Sequence, residues 1–525
     1  MLARVKSGAL RGVDAYLVEV EVDLSPGLFG FTTVGLPEAA VKESKDRVRA
    51  ALRNSGYKFP GNRITINLAP ADVRKEGTGF DLPVAIGILA AQGVVPQESL
   101  EKYLLFGELS LDGRLKSTRG VLSMALATRQ AGLALIIPRD NAPEAGVVQD
   151  IEVYPLERLV ELVEFLAGRE QPAPYAPVSL NAAGPETEGE LDFKEVKGQE
   201  PVKRALLLAA AGGHNMLMIG PPGSGKTMLA QRLPSILPPL SFEEALETSK
   251  IYSVVGLLQP GQGLIKQRPF RSPHHTISDA GLIGGGNIPR PGEVSLAHHG
   301  VLFLDELPEF KRSTLEVLRQ PLEDGMVTIS RAATSITYPA RFMLVASSNP
   351  CFCGHFGDPR KVCSCSPQQI KQYSSRISGP LLDRIDMQMQ VPAVPFQNLT
   401  DDREGEGSGE MRAKVLKARV VQEKRFAKSR VFANAQMTPR MIKETCALRA
   451  EARQLLETAV ERLGLSARAY TRILKIARTI ADLEGETDLT LAQVAEAIQY
   501  RTLDRQFSSN QGAMFVKETK QRYLV

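Results

Sequence analysis

At 525 residues the chain exceeds what one hydrophobic core organises, so about three domains are expected. Its 43% hydrophobic and 23% charged residues suit a water-exposed chain, and no run approaches the roughly 20 apolar residues of a membrane span. The net charge of +5, from 64 Lys and Arg against 59 Asp and Glu, permits nucleic-acid binding without arguing for it. With no Trp and 6% aromatic residues, any such contact is expected through phosphates and not through base stacking. The opening MLARVKSGAL lacks the basic-then-apolar build of a signal peptide. Five cysteines, four of them between Cys351 and Cys365, do not form a secreted disulfide framework. A cytoplasmic protein with no membrane partner is expected.

In chain order, residues 1–170 alternate as strands at Tyr16 to Val22 and Arg63 to Leu68, with apolar helices over Leu82 to Gln92 and Val121 to Ala131. That makes an α+β domain. Residues 171–190 are rich in Pro, Gly and Glu and read as a linker. From 191 to 400 the pattern becomes strand-loop-helix, with apolar strands at Met216 to Ile219, Val301 to Leu304 and Phe342 to Ala346. Such near-continuous apolar strands indicate a parallel sheet covered on both faces, hence an α/β multidomain chain. The stretch 401–410 is a charged, Gly-rich hinge. Residues 411–510 read as helices, with starts at Thr438-Pro439 and Thr490, and 511–525 as a tail.

The chemistry sits in the middle unit. Gly220-Pro221-Pro222-Gly223-Ser224-Gly225-Lys226-Thr227 matches GxxxxGK[ST] between a strand and a helix. Its glycines let the backbone wrap phosphates, Lys226 reaches the β- and γ-phosphates of ATP, and Thr227 ligates Mg²⁺. An apolar strand then ends in Asp305-Glu306, placing Asp305 on Mg²⁺ and Glu306 on the attacking water. A third strand ends in Asn349, placed to orient that water or to cap a turn. Together these motifs favour ATP hydrolysis over binding alone.

With these motifs, Arg271-Ser-Pro-His-His-Thr, Pro291-Gly-Glu-Val-Ser-Leu-Ala-His and Ser378-Gly-Pro-Leu-Leu-Asp-Arg-Ile-Asp386 resemble the magnesium-chelatase-like AAA+ ATPases, specifically the YifB/ComM family. The likeness covers nearly the whole chain. It implies an AAA+ core with a C-terminal helical lid and a homo-hexameric ring. It also implies a DNA branch-migration helicase serving recombination in natural transformation. By the same resemblance Asn349 is sensor 1, Arg384 an arginine finger reaching a neighbouring subunit, and Arg468 sensor 2. An ion pair with Asp383 or Asp386 is the local alternative for Arg384. Gly325 to Tyr338 reads as a β-hairpin. In relatives such a hairpin lies near the pore, so Arg331 at its tip could touch DNA phosphate. Gly281 to Asn287 reads as a mobile loop that could also line the pore. The paired histidines at 274–275 and 298–299 suit hydrogen bonding better than metal.

Cys351, Cys353, Cys363 and Cys365 put four thiols within fifteen residues, a set suited to structural Zn²⁺, with reduced free cysteines as the alternative. His355 could replace one thiol. In the first domain, Gly107 to Leu115 followed by Gly120 and an Ala-rich helix resembles the Lon proteolytic domain, a fold shared with ribosomal protein S5. A Lon-type peptidase needs a Ser nucleophile and a Lys. Neither stands at its expected place here, and Ser123 and Thr78 are out of register. A DNA or partner platform is therefore expected, with Lys42, Lys45, Arg47, Arg49 and Arg53 as its basic face. The segment Arg412 to Arg430 is a second basic stretch, either phosphate-binding or simply solvated. Against the ring motor on branched or single-stranded DNA stand a chelatase-type subunit for metal insertion and a Lon-like ATP-dependent protease. The missing Ser-Lys pair opposes the protease. The resemblance suggests that chelatase subunits lack the first domain.

Overall fold

The computed structural model describes residues 1–176, 191–259, 261–286, 289–331, 334–358, 360–394, 405–429 and 431–502. Most of the expected linker, the first part of the hinge and the whole tail lie outside these residues. The chain forms two compact units. One comprises Met1–Glu186, Ser241–Lys266 and Ser330–Tyr338, and the other Thr187–Leu240, Gln267–Ile329 and Pro339–Val525.

The first unit is built on a seven-stranded sheet in the order Gly30–Val34, Arg63–Ala69, Asp14–Ser25, Leu2–Arg11, Tyr103–Leu105, Ala134–Pro138, Val153–Leu156. Its long central pair, Leu2–Arg11 with Asp14–Ser25, is antiparallel, and the strands from Tyr103 onward run parallel. Alternation in Arg63–Ala69 buries Ile64, Ile66 and Leu68 and leaves their neighbours partly exposed, as one covered face requires. Helix Asp81–Ala91 is buried at every position, including Asp81 at its first turn. Each large apolar side chain so buried contributes roughly 1.5–3 kcal/mol. Asp81 is retained by a two-pronged pair with Arg47, at 2.7 and 3.0 Å.

Helix Phe242–Val255 lies inside the stretch 191–400 yet packs in the first unit, against helix Val121–Gln130. A Ser241 capping box starts it. Ser253 accepts from the Gly120 N–H at 3.1 Å and donates to buried Glu144, and burial pushes that carboxyl up from its ordinary value. Its sequence pattern specifies a helix but not which core receives it.

The second unit carries a five-stranded, wholly parallel sheet in the order Phe270–Arg271, Val301–Leu304, Met343–Ser348, Met216–Ile219, Met387–Gln390. The three inner strands are buried at every residue, which explains why they are apolar but for Ser347 and Ser348. One core joins this sheet to the C-terminal helices. Helix Ser408–Phe426 begins within the stretch read as hinge and packs on Glu200–Gly212 and Lys226–Ile236. It buries Met411, Val415, Ala418, Gln422 and Phe426, spaced three or four apart. Helices Pro439–Thr445, Ala450–Leu463, Ala467–Glu484 and Leu491–Gln499 follow.

Met326–Arg331 and Thr334–Pro339 pair as a two-stranded sheet; Arg331 ends the first strand, and the tip between them lies outside the described residues. The Gly281 stretch differs from the loop expected there. Asp279–Ile283 is helical with Leu282 buried, and Gly284–Gly285 pairs antiparallel with Arg290–Pro291. Gly292 makes that pairing possible, since a Cβ there would lie 2.3 Å from the Gly284 nitrogen.

Candidate nucleotide site

The parallel sheet brings three strand ends side by side. Ile219 is in register with Ser348, and Leu304 with Ala346. Gly220 therefore emerges beside Asn349, and Asp305 beside Ser347, at the carboxyl edge where open α/β sheets bind ligands. A Cβ on Gly220 would meet the Val391 carbonyl at 2.2 Å, so only glycine fits at the exit of that strand. Gly223 and Gly225 take φ of +74° and +84°, turning the chain so that helix Lys226–Ile236 begins on the loop. The amino end of this helix and the N–H groups of the turn form an anion cradle.

Lys226 is buried, and its amine donates to the carbonyls of Gly220 and Pro221 at 2.8 and 2.9 Å and to Asn349 Oδ1 at 3.3 Å. Burial lowers its pKa from the ordinary value, opposed by Asp305 and Glu306. Such an amine is poised for a phosphate that would replace weak carbonyl partners. Thr227 Oγ1 donates to Asp305 Oδ2 at 2.7 Å. Asp305 is also held by the Ser347 hydroxyl and the Glu306 N–H. This hydroxyl-carboxylate pair is the hard-oxygen set that fits Mg²⁺. Glu306 sits in the left-handed region at φ 53°, its N–H tied to Ser347 Oγ at 3.0 Å and its side chain exposed. Backbone held there by its neighbours is characteristic of functional positions.

Sequence reasoning missed three of these supports. Ser347 stands out only as a hydroxyl in an apolar strand. His275 lies 3.8 Å from the Glu306 carboxylate, while His274 bonds Thr276 at 2.9 Å. Gln199 donates to the Ser224 carbonyl at 2.8 Å, steadying the turn from 25 residues upstream. No local pattern marks either long-range partner.

Two expected residues lie apart from this cluster. Arg384 donates to the Pro380 carbonyl at 2.7 Å and pairs with Glu323. Its ion-pair partner is therefore neither of the flanking aspartates. Arg468, near the start of helix Ala467–Glu484, is exposed and lies 3.8 Å from Asp383. Asp386 is buried, and despite that burial Arg472 and His214 hold its carboxyl well below the usual range. In the basic stretch Arg419 and Arg425 are spent on internal partners, Ala210 O at 2.9 Å and Asp482 at 2.8 Å, whereas Lys417, Lys424 and Lys428 are exposed.

The four thiols converge. Sγ atoms of Cys351, Cys353 and Cys363 lie 3.4, 3.7 and 3.6 Å apart pairwise, and all four Sγ fall within 4.8 Å of one another, a group able to hold a metal ion. His355 faces Asp358 at 3.7 Å and is not part of the group. In the first unit Ser123 is buried and donates to the Val13 carbonyl at 2.6 Å, and Thr78 is bonded to Glu108.

Three family models match: magnesium chelatase subunit ChlI over residues 192–399, subunit ChlI of Mg-chelatase over 20–141, and the ChlI C-terminal region over 405–501. The competence protein ComM of Haemophilus influenzae is 49% identical over 96% of this chain and 98% of its own length. The chain belongs to the YifB/ComM family of magnesium-chelatase-like AAA+ proteins. An uncharacterized YifB of Salmonella typhimurium is 46% identical over 96% of this chain and 98% of its own. The magnesium-chelatase 38 kDa subunit of Rhodobacter capsulatus is 27% identical over 42% of this chain and 64% of its own. The chelatase subunit aligns with less than half of this chain, whereas ComM and YifB align with nearly all of it. Extent and identity separate them. Membership in this AAA+ family points to ATPase activity with ATP and Mg²⁺. No helix among the described residues is long and apolar enough to cross a membrane.

Proposed function

We propose that this chain is an ATP-hydrolysing ring motor that acts on DNA, a homo-hexameric branch-migration helicase of recombination in natural transformation. The observation that carries the ATPase half is the meeting of Thr227 with Asp305 at 2.7 Å while Asn349 reaches Lys226 at 3.3 Å. Lys226 binds the β- and γ-phosphates, and the glycine-turned amides surround them. Thr227 and Asp305 hold Mg²⁺, which when bound neutralises phosphate charge. Glu306 polarises the attacking water, with its backbone fixed by Ser347, and Asn349 orients that water. Arg384 leaves Glu323 to reach the neighbouring subunit's nucleotide, and Arg468 approaches from the helical lid.

The DNA half rests on near full-length likeness to a competence protein. Exposed Lys417, Lys424 and Lys428, with Arg331 on the hairpin, supply phosphate contacts. The first unit serves as a Lon- and S5-like platform without peptidase chemistry, since Ser123 is spent on a backbone carbonyl. A metal-insertion motor is the second reading, supported by the ChlI family models. Incubating the protein and ATP with a synthetic four-way junction tests the proposal. Strand exchange that requires ATP supports it, and junctions left intact at every protein concentration refute it.

A further inference from the structure

Between Ser348 and helix Pro367–Ser374 the chain has no helix or strand among its described residues, and Phe352 and Val362 are exposed. The apolar cover of this loop is slight: Cys351 is buried and Phe356 only partly so. All four of its thiols are free. Thiolates around one tetrahedral ion with Zn–S near 2.3 Å stand about 3.8 Å apart, close to the 3.4–3.7 Å seen here. A polynuclear iron–sulfur cluster would hold them further apart.

Backbone amides surround the sulfurs. Backbone N–H groups of Phe356, of His355 and Ser364, and of Cys365 point at the sulfurs of Cys351, Cys353 and Cys363 respectively. The Cys353 N–H bonds Cys365 Sγ at 3.4 Å. Such amides disperse sulfur charge and orient metal ligands.

The first residues of the loop touch the nucleotide site. Cys351 follows Asn349 by two residues. Gly354, at φ +79°, lies so close to Pro222 that a Cβ would come within 2.5 Å of Pro222 Cδ. Phe352 stacks edge-on to Tyr373 at 4.9 Å under Arg376, which bonds Glu309 at 2.9 Å. Tyr373 in turn is hydrogen-bonded to Ser348 and Asn349.

We propose that Cys351, Cys353, Cys363 and Cys365 bind one zinc ion, and that the loop it closes seats Pro222 of the phosphate loop beside Asn349, so that metal occupancy sets nucleotide affinity. This rests on Gly220 to Thr227 being the nucleotide site. The ion does no chemistry; it replaces the core that the loop lacks.

The full chain, purified without added metal, is assayed for metal by elemental analysis and for binding of a fluorescent ATP analogue. About one zinc per chain is expected. Stripping it with a chelator should weaken nucleotide binding about tenfold or more, and zinc alone should restore it. Cys363→Ser with Cys365→Ser should lose zinc and affinity together. Gly354→Ala keeps all four ligands, so it should retain zinc yet bind nucleotide several-fold more weakly. Protein without zinc, or with iron in its place, overturns the metal assignment. Equal affinity of stripped and reloaded protein, or wild-type affinity in Gly354→Ala, overturns the coupling. Zinc-loaded wild type that binds no nucleotide overturns instead the reading of the phosphate loop.

Discussion

Thr227 and Asp305 face each other across two strand ends, hydroxyl to carboxylate at 2.7 Å, although 78 residues separate them in sequence. Parallel pairing of Met343–Ser348 with both neighbouring strands makes that meeting unavoidable once the sheet forms. Glu306 follows directly, displaced toward solvent by its left-handed backbone.

Lys226 and Glu306 should fail differently. Lys226→Ala should abolish nucleotide binding, because its amine meets phosphate already in the ground state. Glu306→Gln should bind normally and lose turnover by about 10²-fold or more, because it acts on water in the transition state. Equilibrium binding and steady-state hydrolysis, measured on both variants, separate the two roles. Wild-type turnover in Glu306→Gln removes it from catalysis.

Arg384 should work in trans. Arg384→Ala should bind ATP and hydrolyse it poorly, with losses of about 10³-fold or more as for other arginine fingers. Mixing it with Lys226→Ala protein should restore part of the activity, since intact Lys226 and intact Arg384 then meet at one interface. No recovery in confirmed mixed rings contradicts the role and leaves the Glu323 pair as its whole function.

The nucleotide motifs were legible because each is a contiguous run whose spacing is dictated by chemistry. The strands carrying them were legible because burial on both faces erases alternation. Thr438 and Thr490 announce their helices as caps; Thr438 accepts from the Met441 N–H, and Thr490 forms a capping box with Gln493. What stayed hidden depends on distant partners. Helix Phe242–Val255 joins the first unit through Glu144 and Gly120, which no local pattern reveals. Arg419 and Arg425 look like surface charge until Ala210 and Asp482 are seen to take them. Gly281 to Asn287 reads as loose because glycine usually loosens a chain, yet Gly284 and Gly285 permit close strand pairing.

Asp81 gives a pH signature. Burial raises its carboxyl pKa to about 6, against the pull of Arg47, whereas an unfolded Asp titrates near 3.9. The folded state thus holds the proton more tightly. Its stabilising contribution is full below about pH 4 and is lost as pH rises through about 6. Hydrogen exchange of the amides in Asp81–Ala91, corrected for intrinsic rates, should show easier opening across that window. Asp81→Asn should flatten the trend. An unchanged trend in the variant assigns it to other groups.

DNA affinity should fall steeply with salt and ignore base sequence. Replacing Lys417, Lys424 and Lys428 by Ala should weaken binding to all sequences alike. It should lower the slope of log affinity against log salt by about one for each phosphate no longer neutralised. ATP affinity should not change. A triple variant with the wild-type slope moves the DNA-binding surface elsewhere.

In the proposed motor, ATP turnover is coupled to DNA. Hydrolysis rates measured at low salt with and without four-way-junction DNA test it most directly. Junction DNA should bind and raise the wild-type rate, while Glu306→Gln should bind the same DNA and stay inactive. DNA that neither binds nor stimulates hydrolysis would contradict the motor on DNA and leave the metal-insertion reading in its place.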